Sequence, residues 1–187
     1  MTKEEEILLI SKIKAGDTYL YKELVENHSS NVFNLIKGIV SSREDAEEVA
    51  QDVFVKAFFS IKSFREESSF STWLYRIAYN MSISKIRRKK RDYVPIDFNN
   101  SNIISEDSST IDNMYDKELL FTILNHALLQ LDPKDKFLVL SFYLYDKSIK
   151  ELMVITGLNE SNVKVRLHRC RIKINLLINN NRELNYG

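Results

Sequence analysis

The chain has 187 residues, 44% hydrophobic and 28% charged, and its 27 basic and 26 acidic side chains leave a net charge of +1. Four glycines and two prolines are too few for the tight turns of an all-β fold and favour long helices. No apolar run approaches the ~18 residues of a membrane span, and the acidic start Thr2-Lys-Glu-Glu-Glu6 lacks the basic opening of a secretory signal. A single cysteine, Cys170, cannot close an internal disulfide. The expectation is a helical, cytoplasmic protein without membrane insertion.

In chain order, apolar periodicity and capping signals predict helices over 4–14, 17–39, 43–61 and 70–90. Asp17 is placed to cap the second of these. Ser41 with Glu44 reads as a capping box for the third, each side chain satisfying an orphan backbone N–H. In that third helix Ala46, Val49, Ala50, Val53 and Ala57 make a buried face, and Asp45, Glu48, Gln51 and Asp52 project from the rest. Carboxylates in the first turns also complement the helix dipole.

The fourth helix opens with Phe70-Ser-Thr-Trp-Leu-Tyr-Arg-Ile-Ala-Tyr-Asn80 and ends in the cationic run Lys85-Ile-Arg-Arg-Lys-Lys-Arg91. Rings interleaved with Arg and Asn ahead of a cationic helix end suit single-stranded nucleic acid, whose bases stack while cations follow the backbone. Phe70, Trp73 and Ile77 share a face and read as core, whereas Phe64, in a loop, is less easily explained by packing.

From about 93 to 115 the helical period fails. Asp97, Glu106, Asp107 and Asp112 sit among Asn and Ser, the composition of a flexible acidic linker. Beyond it, helices are predicted over 116–130, 133–144, 148–156 and 160–178. Asp132-Pro133 places a capping acceptor before a proline at the first helical position, Ser148 and Glu151 form a box, and Gly157 suits a helix end. The segment 148–175 then reads as a helix-turn-helix, with Asn159 or Ser161 capping its second helix. Val163, Leu167, Cys170 and Ile174 form the buried stripe behind an outer face of Ser161, Val165 and His168, flanked by Asn162, Lys164 and Arg169. Asn162, Lys164 and Arg169 are positioned for base edges, and Arg166, Arg171 and Lys173 for phosphates. The fold class is therefore all-α, two small helical domains joined by a flexible acidic linker: 1–92, 93–115 and 116–187.

Together these segments resemble the sigma-70 family, in particular its extracytoplasmic-function (ECF) group. Asp45-Ala-Glu-Glu-Val-Ala-Gln-Asp-Val-Phe54 is similar to that family's polymerase-binding helix, and Phe70–Asn80 to its promoter-opening segment. Leu131-Asp-Pro-Lys-Asp135 and Val163–Arg171 are similar to its C-terminal domain. The resemblance implies a promoter-recognition factor with core RNA polymerase and promoter DNA as partners, and it leaves room for an anti-sigma protein. It assigns Asp45, Glu48, Gln51 and Asp52 to polymerase docking. The −10 element would be read around Phe64, with Arg76, Asn80, Lys85, Arg87 and Arg88 on the separated strand. Ser161, Asn162, Lys164, Arg166, His168, Arg169 and Arg171 would face the −35 element. Three positions depart from the family pattern: Met153 replaces a small residue, Asp146 a glycine, and Val154 a charge.

Two other readings compete. A stand-alone helix-turn-helix regulator would have no use for the acidic helix. A nuclease would need carboxylates converging on a metal or a nucleophile beside a base, and the scattered His28, His126 and His168 offer neither. No catalytic residue, metal or cofactor is expected.

Overall fold

The computed structural model describes residues 1–40, 42–92 and 114–186, and all regular secondary structure among them is helical. Helices α1 (Lys3–Ala15), α2 (Tyr21–Lys37), α3 (Arg43–Ser60) and α4 (Phe70–Asp92) precede α5 (Met114–Leu129), α6 (Pro133–Tyr143), α7 (Ile149–Thr156) and α8 (Glu160–Tyr186). Short 3-10 turns, Thr18–Leu20 and Ile61–Ser63, lead into α2 and out of α3. The acidic linker falls outside the described residues, except that α5 already starts at Met114, inside the span assigned to it.

Most helix ends follow the capping residues. The Ser148–Glu151 box is present in full, Asp132 accepts from Lys134 N–H at 3.0 Å ahead of Pro133, and Asn159 Oδ1 accepts from Asn162 N–H at 2.8 Å. Two caps differ. Asp17 makes no side-chain capping bond, because the chain takes a 3-10 turn before α2. Ser42, not Ser41, caps α3: its backbone is extended and its hydroxyl accepts from Asp45 N–H at 3.1 Å. Gly157 ends α7 in the left-handed region at φ +73°, where a Cβ would meet no atom within 4 Å. Gly157→Ala should therefore lower stability through backbone strain alone, by ~1–2 kcal/mol, read as a reduced urea midpoint at unchanged slope.

Around α3 the first four helices close a core. Leu24, Val32, Leu35 and Ile36 of α2 meet Ala46, Val53 and Ala57 of α3 and Phe70, Leu74 and Ala78 of α4, all at 1% exposure or less. Each fully buried Leu, Ile or Phe stabilises the fold by roughly 1.5–3 kcal/mol. In α5–α8 the corresponding residues are Phe137, Leu138, Leu152, Ile155 and Val163. Arg166 braces α8 to α6 through Asp135 at 2.9 Å. Met153 is half-buried against this core, its unbranched side chain filling the space a small residue would leave. Asp146 lies at φ +49°, a conformation natural to glycine but tolerated by aspartate.

The apolar cluster does not stop between the two halves. Tyr79 packs edge-on against Phe137 with ring centres 4.8 Å apart, and Tyr75 against Tyr145 at 5.7 Å. Thr72 Oγ1 donates to Glu151 Oε1 at 2.6 Å, and Lys147 Nζ donates to Ser71 Oγ at 2.7 Å and pairs with Glu151 at 3.2 Å. Burial by itself would raise the Glu151 pKa; the hydrogen bonds from Thr72 and Ser148, with the Lys147 charge, outweigh it and hold the carboxyl at about 2. At the end of α2, Gly38 lies so near α6 that a Cβ there would stand 2.5 Å from Leu140 Cδ1.

Candidate polymerase and promoter surfaces

The pattern of apolar residues in α3 decides what it shows to solvent. Ala46, Val49, Ala50, Val53 and Ala57 are buried as expected, leaving Glu48, Gln51 and Asp52 exposed on the opposite side. Asp45 is drawn aside toward α4. Lys89 Nζ donates to Asp45 Oδ2 at 2.6 Å and Lys85 reaches Oδ1 at 3.4 Å, while Lys85 also donates to Glu48 Oε2 at 2.6 Å. The hydrogen bond from Lys89 keeps Asp45 below the usual carboxylate range, and that to Glu48 pushes Lys85 up. Asp52 makes no ion pair among the described residues.

Between α3 and α4 runs a groove of ≈510 Å³. Arg76, Asn80, Lys85 and Arg88 line it together, with Trp73 and Met81 at its apolar wall and Lys56 and Ser60 contributed from α3. Four of the six residues assigned to the −10 strand thus meet in one place. Arg87 is exposed but does not line the groove. Phe64, the loop position that packing was expected to explain least, is packed: it is only 4% exposed, its ring against Phe70 at 5.7 Å and Trp73 at 5.4 Å, with Lys14 Nζ 5.4 Å above it. Lys14 also donates to the Phe64 carbonyl at 2.6 Å. Phe64 belongs to the core cluster.

On α8, Val163, Leu167 and Cys170 are buried, with Ile174 half-buried, as the stripe requires. Ser161, Asn162, Lys164, His168, Arg169 and Arg171 are exposed. Their freedom differs: Lys164 is paired with Glu160, Arg171 Nη2 lies 3.1 Å from His168 Nδ1, and Arg169 has no partner among the described residues. Arg166 is half-buried in its Asp135 brace, so its first task is structural. Burial pushes the Cys170 thiol up to about 11.

Two residues on α3 escaped the sequence reading. Val55 and Phe59 are 54% and 80% exposed and continue, at helical spacing, the stripe begun by Glu48 and Asp52. The signal was there: an apolar pair at i, i+4 on the polar side of an amphipathic helix. Among the described residues no group of three or more metal-ligating side chains converges, and no helix is long and apolar enough to cross a membrane.

Comparison with known proteins finds two family regions along the chain. Residues 24–92 match the model for sigma-70 region 2, and residues 121–174 the model for sigma-70 region 4. The chain is 31% identical over 171 residues to the ECF RNA polymerase sigma factor SigW of Bacillus subtilis, covering 87% of this chain and 90% of SigW. In fold it is similar to the sigma factor RpoE of Bartonella quintana in complex with the anti-sigma factor NepR (TM-score 0.70, 20% identity, 85% of this chain and 96% of that one). It is likewise similar to CnrH in complex with the cytosolic domain of CnrY (TM-score 0.66, 21% identity, 92% and 96%). A stand-alone regulator would not carry region 2 ahead of its helix-turn-helix, so that reading loses its support. The chain belongs to the ECF group of sigma-70 family RNA polymerase sigma factors, the transcription initiation factors that bind core polymerase and promoter DNA.

Proposed function

We infer that this factor divides its work between two modules, residues 1–92 and 116–187, joined by the segment 93–115. The exposed stripe Glu48, Gln51 and Asp52, with Asp45 behind it and Val55 and Phe59 at its end, docks on a basic surface of core polymerase. The adjoining groove takes the −10 strand: Arg76, Lys85 and Arg88 follow phosphates, Asn80 offers donors and an acceptor, and Trp73 offers a stacking face. Arg87 meets the neighbouring duplex. From α8, Ser161, Asn162, Lys164 and Arg169 face the −35 bases, and His168 and Arg171 the flanking phosphates. The protein acts in the cytoplasm, by positioning the polymerase and without catalysing a reaction of its own. An anti-sigma protein, the kind of partner that RpoE of Bartonella quintana carries, is its expected antagonist.

The observation that carries this reading is the groove, where one cleft gathers Arg76, Asn80, Lys85 and Arg88 directly beside the acidic stripe. Start-site selection by core polymerase reconstituted with this chain tests it. Transcripts that begin at the same positions with and without the chain would end the reading. Within that assay, Arg169→Ala should weaken −35 binding by ~1–3 kcal/mol and relax preference at one base pair. A binding isotherm unchanged by the substitution would return Arg169 to solvent.

A further inference from the structure

Helix α1 precedes the residues matched by the region 2 model, which begin at 24. Its last turn nevertheless reaches the segment 64–69, between the 3-10 turn Ile61–Ser63 and α4. Lys14 makes three contacts there. Its ammonium donates to the Phe64 carbonyl at 2.6 Å, stands 3.9 Å from Glu66 Oε1 and lies 5.4 Å above the centre of the Phe64 ring. Glu66 has φ +59°, a left-handed backbone that a non-glycine residue keeps only where its surroundings enforce it. The far end of the segment is fixed as well: Ser69 Oγ accepts from Thr72 N–H at 3.2 Å, and the Ser69 carbonyl accepts from Trp73 N–H at 3.1 Å. Both ends abut the groove, since Ser63 and Trp73 line it and the Trp73 ring packs on Phe64 at 5.4 Å. We propose that Lys14 is a positioning residue for −10 recognition, tying the segment 64–69 into one conformation at the end of the groove.

The role of Lys14 rests on the reading that the groove takes the −10 strand. A loop that has to be ordered as DNA arrives loses affinity and discrimination by the cost of that ordering, and a loop already held does not. A lysine suits the task chemically. Its ammonium bonds a carbonyl and a carboxylate of the same segment at once, on either side of Arg65, while its apolar stem stays with the Phe64 ring. Lys14 is itself held from behind. Glu6 of α1 bonds to His28 of α2 at 2.6 Å, and the His28 ring meets that of Phe70, the first residue of α4, at 5.3 Å. The Lys14 side chain is 25% exposed and does not line the groove, so it acts on the strand only through the segment it holds. What that segment shows to solvent is Arg65, Glu66 and Glu67.

The test uses the full chain, free and reconstituted with core polymerase on a pool of templates randomised over the −35 and −10 segments. Lys14→Met keeps the stem over Phe64 and removes the donor, whereas Lys14→Arg keeps a donor and the charge. In the free chain, trypsin cleavage after the exposed Arg65 should quicken in Lys14→Met relative to cleavage within 85–91, because the segment opens more often. Polymerase carrying Lys14→Met should show a flattened −10 preference with its −35 preference kept. Its strand opening, read by permanganate on unpaired thymines, should slow roughly tenfold, the contribution of one charged hydrogen bond. Lys14→Arg should restore both. Wild-type cleavage and wild-type −10 preference in Lys14→Met overturn the proposal, as does a loss that falls equally on −10 and −35. Should Lys14→Met not fold, Glu66→Gln, a change at a largely solvent-facing side chain, carries the same expectations at about threefold, and the same two results overturn it. If wild-type polymerase shows no preference at −10, the role of the groove fails. If it does and the variants keep that preference, only the role of Lys14 fails.

Discussion

Replacing Phe64 by alanine is expected to lower the stability of the fold by ~3–5 kcal/mol, the range for deleting a buried aromatic ring. The ring contacts Phe70 and Trp73 of α4 and lies beneath the Lys14 ammonium of α1, so its loss empties a site bounded by two helices. Those neighbours are themselves held: Phe70 is 1% exposed and its ring meets that of His28, which in turn bonds to Glu6 at 2.6 Å. The cavity therefore cannot collapse cheaply. Urea unfolding checks this directly, and Phe64→Leu, which keeps most of the volume, should recover much of the loss. A Phe64→Ala chain with wild-type stability but failing in promoter opening would instead make Phe64 a base-contacting residue.

Charge reversal at Asp52 should weaken core polymerase binding by ~2–4 kcal/mol, since like charges brought together across an interface cost several kcal/mol; that is roughly 30-fold or more in Kd. Asp52 is the informative position on the stripe. Asp45 and Glu48 are engaged by Lys85 and Lys89, so changing them disturbs α4 as well, whereas Asp52 is exposed. Asp52→Arg should leave the unfolding curve in place. The difference in binding should shrink as salt rises, because exposed charges are screened. Equal affinity of wild type and variant in a titration at low salt would remove α3 from the docking surface. Glu26→Arg, on the outer face of α2, serves as the control.

Helices were readable in the sequence from apolar spacing, and all eight were found, although α2 starts only at Tyr21 and α8 runs on to Tyr186. Caps were readable where one residue could serve, as at Ser148 and Asp132. They failed where neighbours compete. Ser41 and Ser42 are chemically alike, and only the extended backbone at Ser42 decides between them. Site residues followed a similar rule. The stripe on α3 and the outer face of α8 are local periodicities and were legible. The burial of Phe64 was not legible because its packing comes from Lys14 and Phe70, supplied by other elements. The pairing of Asp45 with Lys89 spans 44 residues, and nothing local announces it. The contact of α4 with α7 spans more again, and no capping signal or apolar period encodes it.

The bonds from Lys85 and Lys89 to Asp45 and Glu48 have one more consequence. Proteins gain affinity for nucleic acid largely by setting free the small cations condensed on its phosphates, one for each charge they neutralise. A lysine already matched by a carboxylate of its own chain can neutralise a phosphate only by orphaning that carboxylate, which then recruits a cation from solution. Two of the cations in the basic run of α4 thus carry tethered counterions, so the unassembled factor adheres less to chromosomal DNA at large than its run of lysine and arginine suggests. The same carboxylates, once claimed by a basic protein surface, would return those lysines to the phosphates.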